Sequence, residues 1–167
     1  FTSDAGNNGS PIYSVVICDF DGFTGKLSSP KKLLEFQGFC EYEFSPDNSK
    51  IYISVEDFIH EEFGLYQFNL NEENSDEIEQ SKIQLFEGSK ELFIDGLALS
   101  PVGQILCRQG SLNGSGKTGA IKYPNIEGVE CEFEINTFNF HLAGFLFPNL
   151  VSTFLSPKFD ENFDVKA

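Results

Sequence analysis

Apolar and polar residues alternate along most of this chain with a period of two, the signature of strands with one face buried. In Phe39–Phe44, "FCEYEF", residues Phe39, Glu41 and Glu43 fall on one face and Cys40, Tyr42 and Phe44 on the other. "KIYISV" (50–55) alternates in the same way, and "GLYQFNLN" (64–71) sets Leu65, Gln67 and Asn69 against Tyr66, Phe68 and Leu70. "YSVVICDF" (13–20) is a continuous run rich in β-branched residues and predicts a buried strand. "KKLLEF" (31–36), "KIQLFEG" (82–88), "GAIKYPN" (119–125) and "CEFEINTF" (131–138) predict further short strands. "SPDNS" (45–49) is turn chemistry, because Pro presets one turn dihedral and Asp and Asn tolerate the tight bend. "NEENSDEIEQS" (71–81) reads as an acidic connection with room for a helical turn but no apolar stripe. Residues 1–11 are polar and rich in Gly and Asn and read as a linker or loop.

The strand pattern repeats. "GFCEYEFSPDNSKIYIS" (38–54) and "IDGLALSPVGQILCR" (94–108) share one layout: an alternating strand, Ser-Pro, a short turn and a second strand. The expected class is all-β, built from four-stranded antiparallel units. One unit is 38–89, a second is 94–138, and 12–37 supplies half of a third, with a closing segment at 139–155 and a tail at 156–167. Four-strand repeats of ~40–50 residues are the signature of β-propeller blades. A unit of this kind buries its faces by stacking on neighbours. About two and a half blades fall short of a typical ring of roughly 4–8, so the chain is expected to be part of a larger propeller. The alternative is a β-sandwich made from the same strands.

Composition narrows the function classes. Phe is the main apolar bulk, with 19 copies and neither Trp nor Met. The missing Met suggests a processed product or the ordered part of something longer. A formal net charge of −15 repels phosphates, so a nucleic-acid partner and an anionic membrane surface are not expected. No apolar run approaches the ~18 residues of a membrane span, so direct membrane insertion is not expected either. Cys18, Cys40, Cys107 and Cys131 are widely separated, with no C-x-x-C pair, which disfavours a zinc ribbon. One or two disulfides or plain buried thiols are the options, and three full pairings stand open.

Two stretches carry the outline of phosphate chemistry. "VVICDFDGFTG" (15–25) approaches the strand-borne Asp-x-Asp of haloacid-dehalogenase-type phosphatases through Asp19 and Asp21, but Phe23 displaces the threonine to Thr24. That chemistry also needs further parallel strands joined by long crossovers, and no strong amphipathic helix supplies one. The plain reading is a strand entering a hairpin, with Asp and Gly for the turn and Thr24-Gly25 closing it. Two carboxylates are also too few for a calcium shell. "SLNGSGKTGA" (111–120) nearly matches a P-loop, but Ser111 replaces the first Gly and a strand-like "AIKY" follows where a helix must begin. It reads as a flexible hairpin loop. His60, in acidic "EDFIHEEF", and His141, in aromatic "FNFHLAGF", read as ordinary surface or core-edge histidines. No catalytic, cofactor or metal residues are assigned.

In order, "EYEFSPDNSKIYIS", "GLYQFNL", "KIQLF", "GLALSPVGQILCR", "YPNIEGVECEFE" and "GFLFPNLVSTF" resemble a β-propeller-like region of large secreted Bacteroidota surface proteins. Many of these carry a type IX secretion or gliding-motility sorting domain. Pro124-Asn125, Gly128, Cys131 and Phe133 fit the family's fourth element, and Pro148-Asn149, Ser152 and Phe154 its fifth. Val102 departs from it, standing where the pattern has a turn Asp. The resemblance covers about residues 12–154. It implies a location outside the cytoplasm, at the cell surface or outer membrane, where disulfides are permitted. It implies no catalytic residues and no cofactor.

The expectation is therefore a non-enzymatic propeller module of a secreted or cell-surface protein, with a binding or scaffolding role. Its partner would be a protein, a glycan, or the remainder of a longer chain completing the propeller. The alternatives are a subunit or fragment of a larger outer-membrane assembly, and a phosphatase-like hydrolase using Asp19 and Asp21.

Overall fold

The computed structural model describes residues 2–5, 11–111 and 117–138. The expected closing segment, the tail and His141 lie outside the described residues, as does the centre of the Gly-rich loop at 112–116. Among the described residues eleven strands form three open antiparallel sheets, and none closes on itself. The first holds β1 (Thr2–Ala5), β2 (Pro11–Asp21) and β3 (Lys26–Phe36). The second holds β4 (Phe39–Phe44), β5 (Lys50–Asp57), β6 (Glu62–Asn69) and β7 (Ile83–Glu87). The third holds β8 (Phe93–Leu99), β9 (Ile105–Gly110), β10 (Lys117–Ile121) and β11 (Phe133–Phe138). Strands adjacent in sequence are adjacent in each sheet. The chain is thus all-β and antiparallel, as the alternation predicts.

The second sheet is buried on both faces. Ile51, Ile53 and Val55 of β5, with Tyr66 and Phe68 of β6, pack against Val15, Leu33 and Phe36 of the first sheet. The opposite face, with Tyr52 and Leu65, packs against Ile94, Leu97, Ile105 and Ile121 of the third. Phe63 and Phe93 add an aromatic contact across the same junction, with ring centroids 5.8 Å apart.

Two hairpin designs recur, and each follows from local chemistry. After β4 and after β8 a serine folds the turn back on itself. The Ser45 hydroxyl accepts from the Lys50 N–H at 2.9 Å, and the Ser100 hydroxyl accepts from the Gln104 N–H at 3.1 Å. Asn48 and Gly103 take the positive φ that each tight turn requires. After β2 and after β5 an aspartate closes the loop. Asp21 Oδ1 accepts from the Phe23 and Thr24 N–H groups, and Asp57 Oδ1 accepts from those of Ile59 and His60. Both are Asx turns of the same length.

The loop between β10 and β11 docks on the second sheet through buried polar groups. The Tyr52 hydroxyl donates to the Pro124 carbonyl at 2.8 Å. Gln67 Nε2 donates to the Tyr52 hydroxyl at 2.7 Å and to the Ile126 carbonyl at 2.8 Å, while Gln67 Oε1 accepts from the Gly128 N–H at 2.8 Å. Asp47 donates its N–H to Asn125 Oδ1 at 3.4 Å. Pro124, Asn125 and Gly128 are thus docking residues.

Two segments differ from expectation. Thr2–Ala5, read from composition as linker or loop, pairs with Ser14 to Pro11 of β2, because an open sheet edge offers backbone groups to a polar segment. The acidic connection forms a short helix, α1 (Ser75–Gln80), with the Asn74 side chain capping the Glu77 N–H at 3.0 Å. A single fully buried residue, Ile78, seats it on the first core cluster.

Candidate functional site

Asp19 and Asp21 stand exposed at the far end of the β2–β3 hairpin. Both oxygens of Asp21 are engaged by its own turn, since Oδ2 also accepts from the Thr24 hydroxyl. Those hydrogen bonds, the Thr24 hydroxyl first and then the Phe23 and Thr24 N–H groups, hold its carboxyl below the usual range. Asp19 faces Ser28 across an antiparallel pair, so no parallel strand follows here. Lys117 and Thr118, the Lys-Thr of the P-loop-like stretch, sit in β10 and pair with Gln109 and Arg108. The strand runs on to Ile121, so no helix N-terminus begins at them to cradle a phosphate.

His60 has a partner that the sequence reading did not find. Its ring Nδ1 lies 2.8 Å from Asp57 Oδ2. Asp57 is almost fully buried and also accepts from the Gln37 N–H at 3.1 Å. Burial opposes its charge, but hydrogen bonds from the His60 ring and from the N–H groups of His60, Gln37 and Ile59 outweigh it and depress its pKa. The pair borders a polar hollow of about 510 Å³ with Glu35, Gln37 and Glu62. A carboxylate-held imidazole is a general-base geometry, but no Ser, Thr or Cys lines this hollow among the described residues.

All four cysteines are free thiols. Cys18 is exposed on β2 and Cys40 is half-buried on β4. Burial first, then the Glu41 and Glu56 carboxylates, push the Cys40 thiol up to about 12. Burial likewise raises Cys107 and Cys131, so these three are protonated, unreactive thiols at neutral pH.

The most unusual surface belongs to β4. Glu41 and Glu43 are half-buried, whereas Tyr42 is 49% and Phe44 36% exposed, and Phe39 on the glutamate side is exposed as well. Glu43 explains part of this, because its Oε2 accepts from the Leu99 N–H of edge strand β8 at 3.0 Å. On the other side Tyr42 and Phe44 form one wall of an apolar groove of about 310 Å³, and Val16, Ile17 and Leu27 of the first sheet form the other. Phe20 and Phe23 of the β2–β3 hairpin are exposed as well, Phe23 fully. Period-two alternation located both faces of β4 but carried no signal of which one meets solvent.

A second cluster sits where the second and third sheets meet. Asp95 of β8 pairs with Arg108 of β9, and the Arg108 charge also acts on Glu41 of β4 and Glu56 of β5. Arg108 Nε lies 3.0 Å from Asp95 Oδ1, and its Nη2 donates to the Asp95 carbonyl at 2.9 Å.

Among the described residues no group of three or more His, Cys, Asp or Glu is arranged to hold a metal ion, and no helix is long and apolar enough to cross a membrane. Comparison with protein-family models, with curated proteins and with solved structures found no match.

Proposed function

We propose that this chain is a non-enzymatic, β-propeller-type module of a secreted or cell-surface protein, with a binding or scaffolding role. It engages a protein partner, or the remainder of a longer chain completing the propeller, through the apolar groove between β4 and the β2–β3 hairpin. The observation that carries the reading is the apolar groove in which partly exposed Tyr42 and Phe44 face Val16, Ile17 and Leu27. Contiguous exposed apolar surface of this kind marks interaction sites. Three stacked antiparallel sheets of consecutive strands, with hairpin designs that recur from sheet to sheet, support propeller-type packing.

The test places a photo-crosslinking amino acid at Tyr42 in the protein as its source organism makes it. Crosslinks to a second polypeptide, or to distant residues of the same longer chain, are the expected result, and they distinguish partner from parent. Their absence at Tyr42, together with crosslinks from a matched probe at Phe58, would place the interaction elsewhere and overturn the groove assignment.

A further inference from the structure

We propose that the groove between β4 and the β2–β3 hairpin takes its partner as an added β-strand. An extended segment of a partner polypeptide, apolar at every second position, pairs with the open edge of β2 from Val15 to Cys18 and lays its apolar side chains against Tyr42 and Phe44. This rests on the groove assignment above and adds the form in which the partner binds.

The lining residues locate the edge. Ser14, Val15, Val16, Ile17 and Cys18, five consecutive residues of β2, all border the groove. Neighbouring side chains on a strand point to opposite faces. Val15 and Ile17 accordingly pack in the first core cluster, whereas Val16 and Cys18 are exposed. A hollow that touches both sets runs along the edge of β2 rather than over one face. The opposite wall is a sheet face, because Tyr42 and Phe44 are alternate residues of β4 and Ile51 is the cross-strand partner of Phe44.

Strand pairing explains why this edge is open. β3 bonds to β2 on one side from Tyr13 to Asp21. On the other side β1 reaches only Pro11 to Ser14, and no other described strand pairs with β2 there. The first sheet thus has three strands where the second has four. Helix α1 packs on both β3 and β6, so β3 lies over β6 and the lane beyond β2 lies over β4. The core between the two sheets agrees, since it draws on β5 and β6 and takes only Cys40 from β4. An open edge presents backbone N–H and C=O groups as a template for a further strand. Strand addition gains affinity from main-chain hydrogen bonds and selectivity from pockets for alternate side chains.

The surroundings state the chemistry of that strand. No charged residue lines the groove, so the side chains turned into it are apolar. A second copy would bring another net charge of −15 against the first, which favours a neutral or basic partner. Asp19 and Asp21 stand exposed beyond Cys18 and favour a Lys or Arg at that end of the segment.

Cys18 reports on the lane, because it is the one exposed cysteine of the four. The probe is a short synthetic peptide of alternating valine and threonine with lysine at both ends. Its twin carries the same side chains but is N-methylated along the backbone, which removes its donors. The rate at which a thiol reagent modifies Cys18 is read by mass spectrometry. The unmethylated peptide should slow it saturably, and the methylated twin should need at least about tenfold more peptide for the same effect. Equal protection by both would overturn strand addition while the groove reading stands. Protection by neither would overturn strand addition too, leaving the Tyr42 crosslinks to decide the groove. A Cys18 that resists the reagent with no peptide present would mean that residues 139–167 or a second copy already fill the lane. Size-exclusion chromatography tells those two apart, and either overturns the proposal.

Discussion

The Tyr52 hydroxyl is the smallest group whose removal should reveal how the third sheet is attached. Tyr52 is fully buried, and burial keeps its phenol protonated well above the ordinary range. It is therefore a permanent donor to the buried Pro124 carbonyl. Tyr52→Phe keeps the ring and its packing and deletes one oxygen. The Pro124 carbonyl is then left buried without this donor. Gln67 Nε2 loses one acceptor but retains the Ile126 carbonyl. One lost hydrogen bond and one unsatisfied buried acceptor together cost about 2–3 kcal/mol. For a chain of this size that lowers the melting temperature by roughly 4–10 °C. Urea titration followed by circular dichroism reads the loss as a lower midpoint at unchanged slope. Gln67→Leu should cost more, because it strands the Gly128 N–H and the Ile126 carbonyl as well. The double variant should lose less than the sum of the two, since both changes cut one network. A Tyr52→Phe protein within ~0.5 kcal/mol of wild type would refute the reasoning, because a surface hydroxyl behaves that way and a buried bridging one does not. Strict additivity with Gln67→Leu would refute it equally.

Two further perturbations probe the hairpins and their links. Asp57→Asn should lower stability by about 2 kcal/mol at neutral pH, because a charged acceptor of several hydrogen bonds becomes neutral. The folded pKa of Asp57 is depressed, so its contribution is present above 3.8 and fades as pH falls through the folded value. Wild type and variant should therefore converge in acid, and a gap in urea midpoints that stays constant with pH would count against this account. Gly38 joins β3 to β4 at φ +146°, and a Cβ there would lie 2.1 Å from the Glu56 carbonyl oxygen. Gly38→Ala is expected to abolish soluble folding or to cost more than roughly 3 kcal/mol. A wild-type urea midpoint for that variant would mean the first and second sheets are not joined as described.

Much of the architecture was legible before any coordinates, and the reason is locality. Period-two alternation marked β4, β5 and β6, because neighbouring side chains on a strand must point to opposite faces whatever lies beyond them. Ser45-Pro46 and Ser100-Pro101 announced two like hairpins because a serine hydroxyl reaches its own turn. Asp21 announced the β2–β3 turn for the same reason. Each of these signals depends on atoms a few residues apart.

What lay beyond the sequence depends on surfaces brought together from far along the chain. Alternation gives β5 and β6 two faces without saying what covers them, and Tyr52, Ser54, Glu56 and Gln67 are all buried on one of these faces. They are covered by a sheet whose first strand begins at Phe93, and the backbone groups that Tyr52 and Gln67 bind lie some sixty to seventy residues away. Composition could not place Ile78 in a core either, since one apolar residue in an acidic stretch has meaning only once β3 and β6 are beneath it. Strand β4 follows the same logic. Alternation says that two faces of β4 differ, but the burial of Glu43 is set by the neighbour that binds it, and that neighbour is the edge of another sheet.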